Sequence, residues 1–296
     1  MPEHSHPHAP SRYGRAFAIG VTLNLLFVGV EAVYGVLAHS LALLSDAGHN
    51  LSDVAGLLMA WGAIRLSQWQ PTQKHTYGFQ KTSILAALLN SLLLLVAVGG
   101  IAWEAIRRLS HPVAIDTGMV VWVAGLGIVV NGITALLFMG GRKQDLNIRG
   151  AFLHMSADAL LSSGVAAAGL LVAATGWLWI DPVVSLAIGL TIMAGTWGLL
   201  RESTNLVLDA VPEGIDPDAV LRFLREQPNV ADVHHLHIWS LSTTQVALTA
   251  HLVLVKPALD NEWLDRLHQE LHEHHGIMHA TLQLESPDNN TCLSSR

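Results

Sequence analysis

TSILAALLNSLLLLVAVGGIAW, residues 82–103, decides the fold. It contains no Lys, Arg, Asp or Glu. About 20 consecutive apolar residues are what an α-helix needs to cross a bilayer. Working outward, residues 117–141, 159–180 and 182–200 are free of the same four residue types. Two further spans emerge if a buried acid or two is accepted. One is 16–38, which contains Glu31, and the other is 43–64, which contains Asp46 and Asp53. Six transmembrane helices are therefore expected. The polar, His-bearing start has no small-residue cleavage site after the first span, so that span is expected to be retained.

Composition supports a membrane protein. Only 13% of the 296 residues are charged, about half the ~25% usual in soluble proteins. This excludes a disordered chain, a basic nucleic-acid-binding protein and an ordinary cytosolic enzyme. Residues 1–201 hold 9 acids and 11 bases, whereas residues 202–296 hold 14 acids and 5 bases. Such asymmetry implies two parts in two different solvents. The expected organisation is a tail at 1–15, a six-helix domain at 16–201, a cytoplasmic domain at 202–285 and a tail at 286–296. A single cysteine, Cys292, excludes an intrachain disulfide framework.

Basic residues favour the cytoplasmic side of a membrane. With the N-terminus inside, the inner segments carry Arg12, Arg15, Arg65, Lys74, Lys81, Arg142, Lys143, Arg149 and Arg201. The outer segments carry only Arg107 and Arg108. Both termini are thus expected in the cytoplasm.

Beyond Arg201 the pattern changes. Asp216–Gln227 reads as an amphipathic helix, Val230–Leu241 and Gln245–Val255 as strands, Asn261–His275 as a second helix and Ala280–Glu285 as a third strand. The order α-β-β-α-β suits a small sheet with helices on one face.

Ionisable residues inside spans are costly and point to function. SDAGHNLSD, residues 45–53, places His49 and Asp53 four apart, on one helix face. HMSAD, residues 154–158, places His154 and Asp158 four apart in the same way. Two helices each offering an imidazole and a carboxylate can close a tetrahedral N2O2 site of the kind zinc takes. A dication with two carboxylates leaves no net charge to bury. The competing readings are a simple His–Asp hydrogen bond and a proton relay without metal. Asn24, Glu31, Asp46, Asn50 and Asn131 are read either as groups that orient metal ligands or as interhelical hydrogen bonds. Asp181-Pro182 is read as capping the sixth helix, with Pro in its first turn.

With HSLALLSDAGHNLSD at 39–53, KHTYGFQK at 74–81, HMSADALLSSG at 154–164, Asp181-Pro182 and VHHLHIWSL at 233–241, the chain resembles the cation diffusion facilitators. The likeness covers nearly the whole chain and is greatest to the zinc-transporting branch, which includes zinc/cadmium/cobalt resistance transporters. The resemblance implies a homodimeric, proton-coupled exporter of divalent metal, most of all Zn2+, in the plasma membrane (the bacterial inner membrane), with H+ as coupling ion and lipid around it. It implies a transport site of His49, Asp53, His154 and Asp158, with His at the first position favouring zinc over cadmium or manganese. It also implies a metallochaperone-like, ferredoxin-like α+β cytoplasmic domain that dimerises and binds regulatory zinc. His234, His251 and Glu285 match the family's cytoplasmic ligands, Gln283 stands where some relatives have His, and His279 is an additional candidate. The loop between the second and third spans keeps His75 but has Thr72 and Phe79 where some relatives bind another metal.

His268, His272, His274 and His275 read as a solvated helix face, and His4, His6 and His8 as a metal-capturing tract or an inert tail. In the expected mechanism, zinc enters from the cytoplasm and leaves outward as protons compete for the same lone pairs. His49 is the favoured proton carrier. An intramembrane metallohydrolase is disfavoured because HExxH and Gly-x-Ser-x-Gly are absent. A membrane-bound zinc sensor would not need the two buried His/Asp pairs.

Overall fold

The computed structural model describes residues 14–67, 69–139, 146–256 and 261–286. The described residues form eight helices and three strands. They are α1 (Gly14–Leu37), α2 (Leu41–Ser67), α3 (Thr82–Ser110), α4 (Thr117–Met139), α5 (Leu146–Thr175), α6 (Ile180–Val207), α7 (Pro217–Arg225), β1 (Val230–Ser240), β2 (Val246–Leu254), α8 (Asn261–His275) and β3 (His279–Glu285). The tail readings at His4, His6, His8 and Cys292 lie outside these residues.

The first six helices fall on the six expected spans. Among the described residues, α3, α4, most of α5 and α6 are each long and apolar enough to cross a membrane. α5 and α6 outrun their charge-free windows: α5 starts at Leu146, not 159, and α6 continues to Val207. Backbone hydrogen bonding continues a helix wherever nothing breaks it, and a charge-free window is cut short by a buried acid such as Asp158, so the window does not mark the helix end.

The chain separates into two compact units. Of the described residues, one comprises those up to Leu57 together with those within Asn90–Trp197, and the other Leu58–Leu89 together with those from Gly198 onward.

In the first unit, small and β-branched residues form the interior. Phe27, Ala38, Ala42, Leu43, Val98, Val120, Val123, Ala124, Val165, Ile188 and Ile192 pack as one buried cluster. Large apolar side chains such as Val96, Trp103, Trp122 and Leu160 point outward, which suits lipid and not water. α4 approaches its neighbours closely at Gly127. A Cβ there would lie 2.7 Å from Phe27 Cζ and 2.8 Å from Ser162 Oγ.

Asp181 differs from its sequence reading. Pro182 does sit in the first turn of α6. The Asp181 carboxylate, however, accepts from Ser40 Oγ at 2.5 Å, from the Leu41 N–H at 2.8 Å and from the Ala42 N–H at 3.3 Å. It thus closes the N-terminus of α2, whose first N–H groups have no helical acceptor. One turn further on, the Ser45 and Ser185 hydroxyls meet at 2.6 Å. Arg108 is occupied too. It pairs with Glu104 at 3.0 Å and donates to the His39 carbonyl.

In the second unit, β1 pairs antiparallel with β2, and β2 parallel with β3. Helices α7 and α8 cover the sheet through Val220, Leu224, Trp263, Leu267 and Leu271, which pack on Val233, Leu248, Ala250 and Leu252. The order is the expected α-β-β-α-β. Asp216 caps α7 by accepting from the Asp218 N–H at 2.9 Å. Gly276, at φ +69°, ends α8, with its own N–H on the His272 carbonyl and the Ile277 N–H on the Leu271 carbonyl. The loop before α3 belongs to this unit. Lys81 Nζ meets Asp209 Oδ1 at 2.6 Å, the Thr243 N–H donates to Ser83 Oγ at 3.1 Å, and the Tyr77 and His279 rings meet edge-on at 5.6 Å.

Candidate metal centre

Helical periodicity brings His154 and Asp158 to one face of α5, and His49 on α2 meets the same carboxylate. Asp158 is fully buried. Its Oδ1 lies 3.7 Å from His49 Nε2 and its Oδ2 lies 3.6 Å from His154 Nε2. The two imidazoles stand 6.1 Å apart between centroids, nearly perpendicular. These N···O separations exceed the ~3.2 Å limit of a good N–H···O hydrogen bond. With metal–ligand bonds of about 2.0–2.2 Å, two ligands of a tetrahedral zinc are ~3.4 Å apart. The spacing is therefore closer to ligands around an ion than to a direct hydrogen bond. One carboxylate serves two imidazoles from two helices, which a chance i, i+4 pair would not do. Asp53 lies one turn after His49 on α2, and its side chain lies outside the described residues.

The other polar residues of the spans make contacts of their own. Asn50 Nδ2 donates to Glu31 Oε2 at 3.3 Å, and Ser162 Oγ donates to Asp46 Oδ2 at 3.1 Å. Asn24 Nδ2 faces Met155 Sδ at 3.8 Å. Asn131 is fully buried, and neither of its amide atoms has a hydrogen-bond partner.

A second cluster lies on the small sheet. His234 and His251 are direct cross-strand neighbours, and Gln283 continues the row on β3. Glu285 reaches both imidazoles: Oε2 is 3.3 Å from His234 Nε2 and Oε1 is 2.7 Å from His251 Nδ1. Among the described residues this is the one group of three His or carboxylate ligands whose donor atoms all lie within 4.8 Å of one another. An N2O set fits zinc, and the buried His234 Nε2 has no hydrogen-bond partner of its own. A bound zinc would take a lone pair from each of the three side chains. Gln283 donates to Glu285 Oε1 at 2.9 Å and so steadies that carboxylate.

His279 is not brought to this group. It opens β3 opposite Ala247, six residues from Glu285, or ~20 Å along a strand. His235, which sequence reasoning passed over, is brought near. Its ring lies 5.1 Å from those of both His234 and His251. The β1–β2 register shifts between His234 and His237, and His235 takes φ +49° there. Three His within four residues of a strand was the signal available. His75 stacks on Phe79 at 4.8 Å and forms a turn with Thr72. On α8, burial holds the His275 imidazole below its ordinary value, and nearby His274 pushes the same way.

The chain also matches known proteins. Residues 17–208 match the cation efflux transmembrane domain, and residues 212–287 match the cytoplasmic domain of cation efflux proteins. The zinc transporter ZitB of Escherichia coli K12 is 38% identical over 291 residues, covering 95% of this chain and 92% of that protein. The metal cation efflux system protein CzcD of Cupriavidus metallidurans is 38% identical over 286 residues, covering 95% and 89%. A cadmium, cobalt and zinc/H(+)-K(+) antiporter of Bacillus subtilis is 33% identical over 290 residues, covering 96% and 93%.

Proposed function

Because the chain belongs to the cation efflux family, an integral membrane family of metal transporters and not of enzymes, we propose that it exports Zn2+ from the cytoplasm in exchange for protons. The transport site is His49, Asp53, His154 and Asp158. The observation that carries this reading is the Asp158 carboxylate, with each oxygen 3.6–3.7 Å from a different imidazole. Borderline nitrogen with carboxylate oxygen in a tetrahedral array suits zinc, and cobalt and cadmium remain competitors by chemistry.

Metal and proton use the same lone pairs, so acid on the outer side weakens zinc there and an inward proton gradient drives it out. His49 carries a coupled proton, since its imidazole lone pair can hold either a proton or zinc. The helices alternate between inward and outward access around this site. Both termini face the cytoplasm of a bacterial inner membrane, as the distribution of Lys and Arg indicates. The chain works as a homodimer through its cytoplasmic domain, and His234, His251 and Glu285 bind regulatory zinc. Relatives named for zinc, cadmium and cobalt support the metal, and the relative named for H(+) and K(+) supports coupling to an opposing ion.

The test is zinc flux into liposomes holding a zinc-sensitive dye, driven by a pH step. Wild type is compared with Asp158→Ala. Flux that follows the gradient and is lost in Asp158→Ala is expected. Flux surviving the substitution would break the site assignment. A folded, zinc-binding wild type with no flux would favour a sensor.

A further inference from the structure

Strand β1 breaks its alternation at one place. Successive side chains of a strand point to opposite faces of the sheet. Val233 and Ile238 belong to the core under α7 and α8, and Leu236 packs against it. Strict alternation would send His235 to that face with Val233. It does not, because β1 takes three steps from His234 to His237 while β2 takes two from His251 to Thr249. One residue is extra, as in a β-bulge, which re-aims side chains and recurs beside functional sites. His235 adopts φ +49° there, a left-handed conformation uncommon for residues other than glycine. Backbone outliers of this kind cluster at ligand sites. Two consecutive imidazoles thus stand beside His251, on the face turned away from the helices.

The spacing of the rings is specific. The centres of His234 and His251 are 5.2 Å apart, those of His234 and His235 5.1 Å, and those of His235 and His251 5.1 Å. With Zn–N bonds of about 2.0–2.1 Å, the centres of imidazoles on one tetrahedral zinc stand roughly 5 Å apart. Aromatic packing permits such a distance in a pair. It does not account for three rings converging where Glu285 already reaches two of them.

What His234, His251 and Glu285 lack is a fourth donor, since zinc held by protein alone takes four. Gln283 turns its amide to Glu285 Oε1, and an amide is not among the groups zinc selects. We propose that His235 is the fourth ligand, closing a zinc site with His234, His251 and Glu285 within one chain. His235 lies outside the 4.8 Å that encloses the other three donors, so its ring turns inward when the ion arrives. Three side chains leave one zinc position to water, whereas four exclude it. The bulge therefore converts an open site into a closed one. This inference rests on the reading that His234, His251 and Glu285 bind zinc.

The experiment uses the full chain carrying Asp158→Ala, so that the membrane centre does not compete, loaded with one zinc per chain. X-ray absorption at the zinc edge counts the bound imidazoles, and equilibrium dialysis gives the affinity. Three imidazoles are expected. His235→Ala should lower the count to two and weaken zinc at least about tenfold, the least that even a lost outer partner costs. His235→Gly suits φ +49° and serves if the alanine variant fails to fold. His237→Ala, at an exposed position further along β1, should change neither reading. A parent count of two would overturn the proposal. So would weaker binding in His235→Ala with the count unchanged, since His235 would then only position the others. Zinc lost in His234→Ala alongside a parent count of two would leave the three-residue site standing without His235. Zinc binding and count that survive His234→Ala would sink the underlying site as well.

Discussion

Asp158 is the residue on which the membrane centre turns, because one of its oxygens faces His49 and the other faces His154. Asp158→Asn keeps its shape and removes its charge. Zinc flux should fall at least about a hundredfold, the scale of losing a ligand and not an outer partner, while the purified protein keeps its helical circular dichroism. His49→Asp changes the donor set from two nitrogens to one, and carboxylate suits Mn2+ better than imidazole does. Competition by Mn2+ against zinc flux should therefore strengthen. The two His/Asp pairs stand out in the sequence because a four-residue spacing occurs twice inside apolar spans. The destination of Asp181 was not legible, since its partners lie about 140 residues away in the chain and local pattern cannot report a distant helix end. Asp181→Ala strands several donors at the start of α2. It should cost about 1–3 kcal/mol per unsatisfied group, read as a lower thermal midpoint in detergent.

At the scale of elements, hydropathy located the helices and alternation located the strands, because each element must bury one face or all of them. The ends were less legible. α5 and α6 run past their charge-free windows, since hydrogen bonding and not hydropathy ends a helix. The bulge around His235 was also hidden, as nothing in VHHLHIW announces a shift of register. Gly127 marks where α4 meets α1 and α5 most tightly. Gly127→Leu cannot be housed against Phe27 and Ser162 and should destabilise by at least the ~1–3 kcal/mol typical of overpacking, measured by thermal unfolding.

The last turn of α8 carries a pH dependence. Burial keeps His275 neutral below the ordinary histidine value, and His274 acts in the same direction. As pH falls through about 6.5 the unfolded chain takes up this proton first, so the unfolded state gains on the folded one as acid is added. The wild-type urea midpoint should drop between neutral and mildly acidic pH by more than that of His275→Gln.

For the molecule as a whole, the charge asymmetry between residues 1–201 and 202–296 foretold a membrane part and a water-facing part. The grouping of residues 58–89 with the C-terminal part was not legible, because it depends on tertiary contacts between distant segments. Zinc stoichiometry separates the two candidate centres. His234→Ala should lower bound zinc by one ion per chain in equilibrium dialysis and leave the membrane centre filled. Asp158→Ala should remove the other ion. A double variant, His234→Ala with Asp158→Ala, that loses no more zinc than either single variant would mean a single shared site.

The loop before α3 is tied down by Lys81–Asp209, by Ser83 with Thr243 and by Tyr77 with His279. The ion pair is short, but both side chains are about half exposed, at 47% and 55%. Water and salt reduce such a pair to about 0–1 kcal/mol. In kinetic terms this is a latch that thermal motion opens readily, since about 1 kcal/mol is less than a tenfold bias. That pair alone cannot then hold the loop shut, and raising the ionic strength should weaken it with little change in the maximal rate.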